Sequence, residues 1–485
     1  MTDAPRLRLV EAQFFERPIR LRLPFRFGAA TLREAPQIFV RVRVAFPDAV
    51  EGEGVAAEML APKWFDKSPD LANEENFDQL RRSLAMARDS VIAAGSDTAF
   101  GLSAAVDRPH HAACAKVGLN GLIASFGLAL IDRAIIDALG RWKGESVFTL
   151  ARANRFALSA ATAPDLQGFA LAPFLSGLRR SDTIAARHTV GLIDALTAGD
   201  LDPSGRLDDG LPETLEQVIA AYGNRYFKLK ISGRVDADIE RLLRIADVLD
   251  RVAGDYLTTL DGNEQYDDID GVLELWRRIG EEKRLARLKA SILWVEQPIN
   301  RTRALAAPVH ALAREVPLEI DESDADLEAF PRAIALGYRG VSSKSCKGLY
   351  RSLLNRARIA QRTARGEKEA YFMSSEDLTT QAGVAVQQDL ALAALIGATH
   401  LERNGHHYVD GMIAPPHEQD AFIERHPDLY HRAPHKRARL TIRAGAISLT
   451  SLDIPGLGVG PLPDFSAMAP SPLPSTQPAK LRTDS

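Results

Sequence analysis

Cysteine is almost missing: Cys114 and Cys346 are the two in 485 residues. Two cysteines build neither a disulfide framework nor a zinc site, and a reducing cytoplasm is the expected home. Long apolar runs are missing as well. No uncharged apolar stretch of roughly 18 residues occurs, so no membrane span is expected. The opening MTDAPRLRLVEAQFFERP has no apolar core of signal-peptide length. Nor is there an excess of charge of one sign: 60 Lys+Arg face 64 Asp+Glu, a formal net charge of −4. That balance gives no reason to expect nucleic acid or an anionic membrane as a partner. What is there is an ordinary globular mixture, 46% hydrophobic and 26% charged, long enough for two or three domains.

The pattern along the chain predicts two architectures. Residues 6–60 alternate as paired strands do, in RLRLVEAQFF and QIFVRVRVAF. Helices follow at 69–95 and in GLALIDRAIIDALGRW. Residues 1–150 therefore read as an α+β domain. From 155 to 402 short apolar strands alternate with amphipathic helices: RYFKLKI, YLTTLDGN, ILWVEQPI, PLEIDES, GVSSKS and YFMSS. Repeated βα units of this number predict a closed, TIM-type (β/α) barrel. Residues 195–213 read as a polar insertion. Residues 403–454 are expected to pack back on the first domain, and the Pro-rich 455–485 to be a flexible tail.

Barrel enzymes keep their chemistry at the C-terminal ends of the strands. Five consecutive predicted strands end in ionisable groups: Lys228 and Lys230, then Asp261 with Asn263, then Glu296, then Asp321 with Glu322, then Lys344. The gaps of 31, 35, 25 and 23 residues each fit about one βα unit. Three carboxylates facing one small volume repel unless a cation neutralises them. An all-oxygen set suits Mg²⁺, with Mn²⁺ as the other choice. Asp261, Glu296 and Asp321 are thus the expected metal ligands. Lys228 and Lys230 lie two apart and share one face of their strand. Inside a barrel they should depress each other's pKa, and a lysine tuned toward neutral pH is a usable general base. Lys344 is expected across the mouth, so that it and Lys230 approach opposite faces of one carbon. Capping of the following helix is the plainer explanation for any single carboxylate; it fits an ordered set of three poorly.

The ordered pieces K-L-K at 228–230, D-G-N at 261–263, V-E-Q-P at 295–298, D-E-S at 321–323 and K-S-C-K-G at 344–348 resemble the enolase superfamily. The resemblance is to its mandelate racemase/muconate lactonizing enzyme family, in the branch with two catalytic lysines. It runs over roughly residues 15–430. It implies an N-terminal capping domain over the barrel and Mg²⁺-dependent removal of the proton next to a small-molecule carboxylate. It also implies Lys230 and Lys344 as acid/bases, with Lys228 tuning Lys230 and touching the substrate carboxylate, and Asn263 and Glu322 supporting the metal ligands, Glu322 near Lys344. Two cap loops, with Phe25, Arg26 and Phe27 in one and Lys63 and Trp64 in the other, would select the substrate. Glu376 and Glu402, near the seventh and eighth strand ends, would help bind it, and Thr189 would end the first strand. His406 and His407 look like a metal pair but sit in a turn. The eighth strand, THLERN, lacks the Asp-x-Asp that dipeptide epimerases carry for a substrate ammonium, and only Gly348 stands for the family's glycine pair. A homo-oligomer is expected.

Racemisation, epimerisation and cycloisomerisation all begin with this proton transfer, and so does dehydration of an acid sugar. A Schiff-base aldolase also keeps a lysine in a barrel but has no use for three converging carboxylates. A non-catalytic barrel is the third reading, and fold alone does not fix the substrate.

Overall fold

The structure is a computed structural model, and it describes residues 3–472 apart from 29, 253, 381, 434 and 435. The first unit is an antiparallel sheet backed by helices. Strand β1 (Leu7–Phe27) pairs along most of its length with β2 (Ala30–Ala45), and β2 pairs with β3 (Glu51–Met59). Helix α1 (Asn73–Ala93) buries Phe77, Leu80, Leu84, Ala87 and Val91, one stripe at helical spacing. Helix α2 (Ala99–Lys116) lies outside the expected elements. Helix α3 (Gly121–Lys143) is started by the Asn120 side chain, which accepts from the Ile123 amide, and ended by Gly144 at φ +67°. It is buried all round because it runs between the sheet and helices α1 and α2. Gly54 of β3 makes that approach possible: a Cβ there would stand 2.1 Å from the Ala134 carbonyl oxygen.

The second unit is the predicted barrel. Eight strands run from β4 (Thr183–Val190) through β5 (Tyr226–Lys230), β6 (Leu257–Asp261), β7 (Ile292–Glu296), β8 (Leu318–Ile320), β9 (Gly340–Ser343) and β10 (Phe372–Ser375) to β11 (His400–Arg403). Neighbours in sequence pair in parallel from β4 to β10, and β11 pairs with β4. Helices such as α4 (Val235–Val252) and α5 (Ile269–Glu281) connect them with one apolar face inward. The barrel floor is aromatic: Tyr226 stacks on His400 at 4.5 Å, and Trp294 lies 5.5 Å from His400 and 4.8 Å from Phe372. No helix among the described residues is long and apolar enough to cross a membrane.

The C-terminal part departs from expectation in one respect. Arg17 of β1 reaches Glu418 at 2.8 Å, and Ala446–Ser448 adds an antiparallel strand to β4. Beyond it, residues 455–472 are not a loose tail. Leu457 and Val459 are fully buried, the Leu457 amide donates to Asp137, and Ala469–Pro470 pairs with β1. Residues 473–485 lie outside the described residues.

Candidate active site

The parallel register brings the expected strand ends to one rim. Lys230 stands opposite Asp261, and Asp261 opposite Glu296. Alternation then sets what faces inward. Lys228 and Lys230 share the interior face, as do Glu319 and Asp321 on the strand end opposite. All are buried. The Lys228 ammonium sits among four carboxylates, 2.9 Å from Asp261, 2.8 Å from Glu296 and 2.9 Å from both Glu376 and Glu402. Lys230 donates to Asp261 at 2.5 Å. Lys344 pairs with Asp321 at 3.1 Å and with Glu376. Lys347, which the sequence reading left without a role, holds Asp321 at 2.8 Å and donates to the Asp321 and Ser342 carbonyls.

These surroundings correct the expected lysine pKa. Burial lowers the Lys228 value, but Asp261, Glu296, Glu376 and Glu402 outweigh it and hold the ammonium well above its ordinary range. Lys344 is likewise raised, against burial, by Asp321 and Glu376. Burial pushes Glu376 up, and Lys228, Lys344 and Arg187 hold it far below the ordinary carboxylate range. Arg187 was also missed: it lies on the floor over Trp294, at 5.2 Å, and binds Glu376 from beneath at 2.6 Å. Glu319 is the other missed group. Burial, then Glu376, pushes it up to about 8. Both belong to strands whose alternation fits a charged residue facing out as well as in.

Six buried carboxylates (Asp261, Glu296, Glu319, Asp321, Glu376, Glu402) lie among five buried cations (Arg187, Lys228, Lys230, Lys344, Lys347). A divalent cation fits the all-oxygen donor set of these carboxylates. Glu296 Oε2 and Asp321 Oδ1 each meet an ammonium at 2.8 Å, from Lys228 and Lys347. Among the described residues, the carboxylates whose oxygens lie within 4.8 Å of one another are Glu296, Glu319 and Glu376. That trio shares only Glu296 with the expected set. Both sets are engaged: burial and neighbouring carboxylates push Glu296 and Glu319 up. Asp261 pairs with Lys228 and Lys230, Asp321 with Lys344 and Lys347, and Glu376 with Arg187, Lys228 and Lys344.

Above the rim lies a cavity of about 40 Å³ lined by Phe25, Phe27, Leu32, Trp64, Leu378, Lys228, Lys230, Asn263, Asp321, Lys344, Glu402 and Asn404, among others. The Trp64 ring stands 5.4 Å from Lys344 Nζ, and Phe25 lies 6.0 Å from Lys230 Nζ. The Thr189 hydroxyl, at the end of β4, donates to Glu402 at 2.6 Å. Four expected residues sit elsewhere. Arg26 alternates outward on β1 and is exposed. Lys63 turns its ammonium to the Ser68 and Leu71 carbonyls. Glu376 lies beneath the cavity rather than along its wall. Glu322 contacts Asn263 at 3.3 Å and Lys67 at 3.2 Å instead of lying by Lys344. His406 and His407 are buried against His188 and belong to no metal-binding group among the described residues.

No family model matches the chain. A curated relative, the L-Lys-D/L-Arg epimerase of Methylococcus capsulatus, is 31% identical over 163 residues, 30% of this chain. The match spans 42% of that relative's length. Among solved structures, the dipeptide epimerase of Cytophaga hutchinsonii, complexed with Mg and the dipeptide D-Ala-L-Val, has a TM-score of 0.60 at 14% identity. That likeness covers 95% of this chain and 98% of the other. The 2-chloromuconate cycloisomerase of Rhodococcus opacus 1CP gives 0.58 at 18% identity, again over 95% and 98%. The chain has the fold of the enolase superfamily, in the capped-barrel form of its mandelate racemase/muconate lactonizing enzyme family.

Proposed function

We propose that this chain is an isomerase of that family which moves a proton on and off the carbon next to a substrate carboxylate. What carries the reading is one arrangement: Lys230 and Lys344, from strands far apart in barrel order, line one cavity beside a ring of carboxylates. Asp261, Glu296 and Asp321 would hold a divalent ion, Mg²⁺ by preference. When bound, that ion supplies positive charge for the substrate carboxylate and competes with the lysines for Asp261 and Asp321. One lysine, in its neutral form, takes the α-proton on Nζ. The electron pair left on carbon delocalises into the carboxylate. The opposite lysine, charged, returns a proton to the other face. Lys228 stays charged among its four carboxylates and supports whichever lysine acts. Phe25, Phe27, Leu32 and Trp64 exclude water from the reacting carbon.

Racemisation or epimerisation is the reaction that two opposed lysines favour, and the names of the epimerase relatives agree with it. Cycloisomerisation uses the same first step. Acid-sugar dehydration stays third, because the cavity is small and its roof apolar. The Glu402 carboxylate is already held by Lys228, Thr189 and Asn404, which leaves little of it for a substrate ammonium. The test is incubation of a panel of carboxylic acids, dipeptides among them, with the protein and Mg²⁺ in D₂O. Mass spectrometry should find one α-deuterium in at least one class of acid. A panel that stays unlabelled would sink the reading, and labelling accompanied by loss of water would move it to the dehydratases.

A further inference from the structure

The loop at residues 62–67 reaches from the cap to the barrel and carries Trp64, which roofs the cavity. One barrel side chain grips it from below. Arg301, shortly after β7, donates to the Phe65 carbonyl at 2.9 Å and to the Trp64 carbonyl at 2.8 Å. Glu264, shortly after β6, fixes the same guanidinium with both its oxygens, each at 2.8 Å, and accepts from the Arg301 amide at 2.6 Å. Lys67 closes the arrangement. It contacts Glu264 and donates to the Asn263 carbonyl at 2.8 Å. The Glu264 carboxylate is fully buried, and Asn263 and Glu264 sit at φ +40° and +70°. Non-glycine residues keep such a backbone only where the surroundings over-determine it. A planar fork of five donors can hold two successive carbonyls and a carboxylate at once; an ammonium cannot. The cap is tied to the barrel elsewhere, by Gln388 to the Val55 carbonyl at 2.8 Å and by Arg351 to Ser125 at 2.7 Å. Loss of Arg301 therefore frees the loop rather than the domain.

We propose that Arg301, oriented by Glu264, is a positioning residue that holds Trp64 over Lys344 and so sets how closely the site shuts on its substrate. The placement of Trp64 stands by itself; the effect on turnover rests on the reaction proposed above. Trp64 is one of 4 tryptophans, so its signal is the difference between a protein and the same protein carrying Trp64→Phe. Acrylamide quenching of that difference is the readout. In Arg301→Gln the quenching constant should rise about threefold or more, with the melting midpoint little changed, as expected for local opening. Glu264→Gln should move the same way, and Arg301→Lys should fall between. For an acid that exchanges its α-proton, KM should rise about tenfold or more while kcat stays within about threefold, the split expected when closure rather than chemistry is weakened. An unchanged Trp64 signal in both Arg301→Gln and Glu264→Gln overturns the proposal, as does a fall in kcat with KM unmoved. If no acid exchanges even in the wild type while the Trp64 signal responds, the reaction falls and the placement stands.

Discussion

The Nζ of Lys228 stands 2.9 Å from Glu376 Oε2, and that same oxygen is the one Lys344 reaches. Arg187 binds the other oxygen from below. One carboxylate thus orients two lysines that arise on different strands. Glu376→Gln keeps the shape and removes the charge. It should slow α-proton exchange by on the order of 10²-fold, the low end of what a positioned base contributes. Both enantiomers of a substrate should suffer through Lys228, and the one served by Lys344 more, since Glu376 binds that lysine directly. Deuterium incorporation from each separately is the measurement, and a loss confined to one would remove Glu376 from this role.

The two outer lysines should instead differ. Lys344→Ala should stop exchange from one enantiomer and spare part of the other; Lys230→Ala should do the reverse. Each loss should be about 10²–10⁴-fold. Equal loss from both enantiomers in both variants would mean that the lysines are not face-specific, and a one-base cycloisomerase or dehydratase would fit better.

Metal binding can separate the two carboxylate sets. A chelator should abolish exchange, and Mg²⁺ or Mn²⁺ should restore it. Added Mg²⁺ should also raise the melting midpoint of the wild type, because a ligand of the native state stabilises it by mass action. Glu296→Gln should fold and lose most of that rise, since one fewer negative charge relieves the ring. Glu319→Gln should keep it. Loss of the rise in Glu319→Gln, with retention in Asp261→Asn, would move the ion to Glu296, Glu319 and Glu376.

His188 allows a pH prediction with a defined sign. Burial lowers its pKa to about 3, and its Nδ1 lies 3.2 Å from His406 Nε2. The folded value lies below the unfolded one, so the stability tied to neutral His188 is present above about pH 6.5 and lost as pH falls toward 3. In that window one such group costs the fold about 1.4 kcal/mol per pH unit. His188→Asn removes the term. Urea unfolding at pH 7 and pH 5 should therefore show the deficit of the variant shrinking by about 2 kcal/mol at the lower pH. A deficit that holds constant would mean that His188 is charged in the folded protein.

The strand ends were legible because each reactive residue closes a short apolar run, and the intervals between them match one βα unit. Local pattern reached less far where a neighbour in space decides. The directions of Arg26 and Lys63 are set by alternation at a hairpin tip and by the carbonyls of residues 68 and 71. The lysine charges were misjudged because KLK shows the neighbouring cation, while two of the four carboxylates around Lys228 come from β10 and β11, nearly 150 residues or more away. Helix α2 is hidden by Gly101 and Pro109, which lower its helical signal. The stretch at 455–472 has the composition of a linker; only its landing place on β1 and α3 gives it order.

That landing place also bears on the order of events during synthesis. The cap sheet takes an edge strand from Ala469–Pro470, and Glu16 of β1 accepts from Ser471 at 2.6 Å. Strand β1, translated before the barrel, therefore waits for residues near 470 before its sheet is complete. Until then the Phe15 side of β1 lacks its partner, and a nascent chain carrying the whole barrel still leaves the ribosome with an open edge, the kind of surface that chaperones cover.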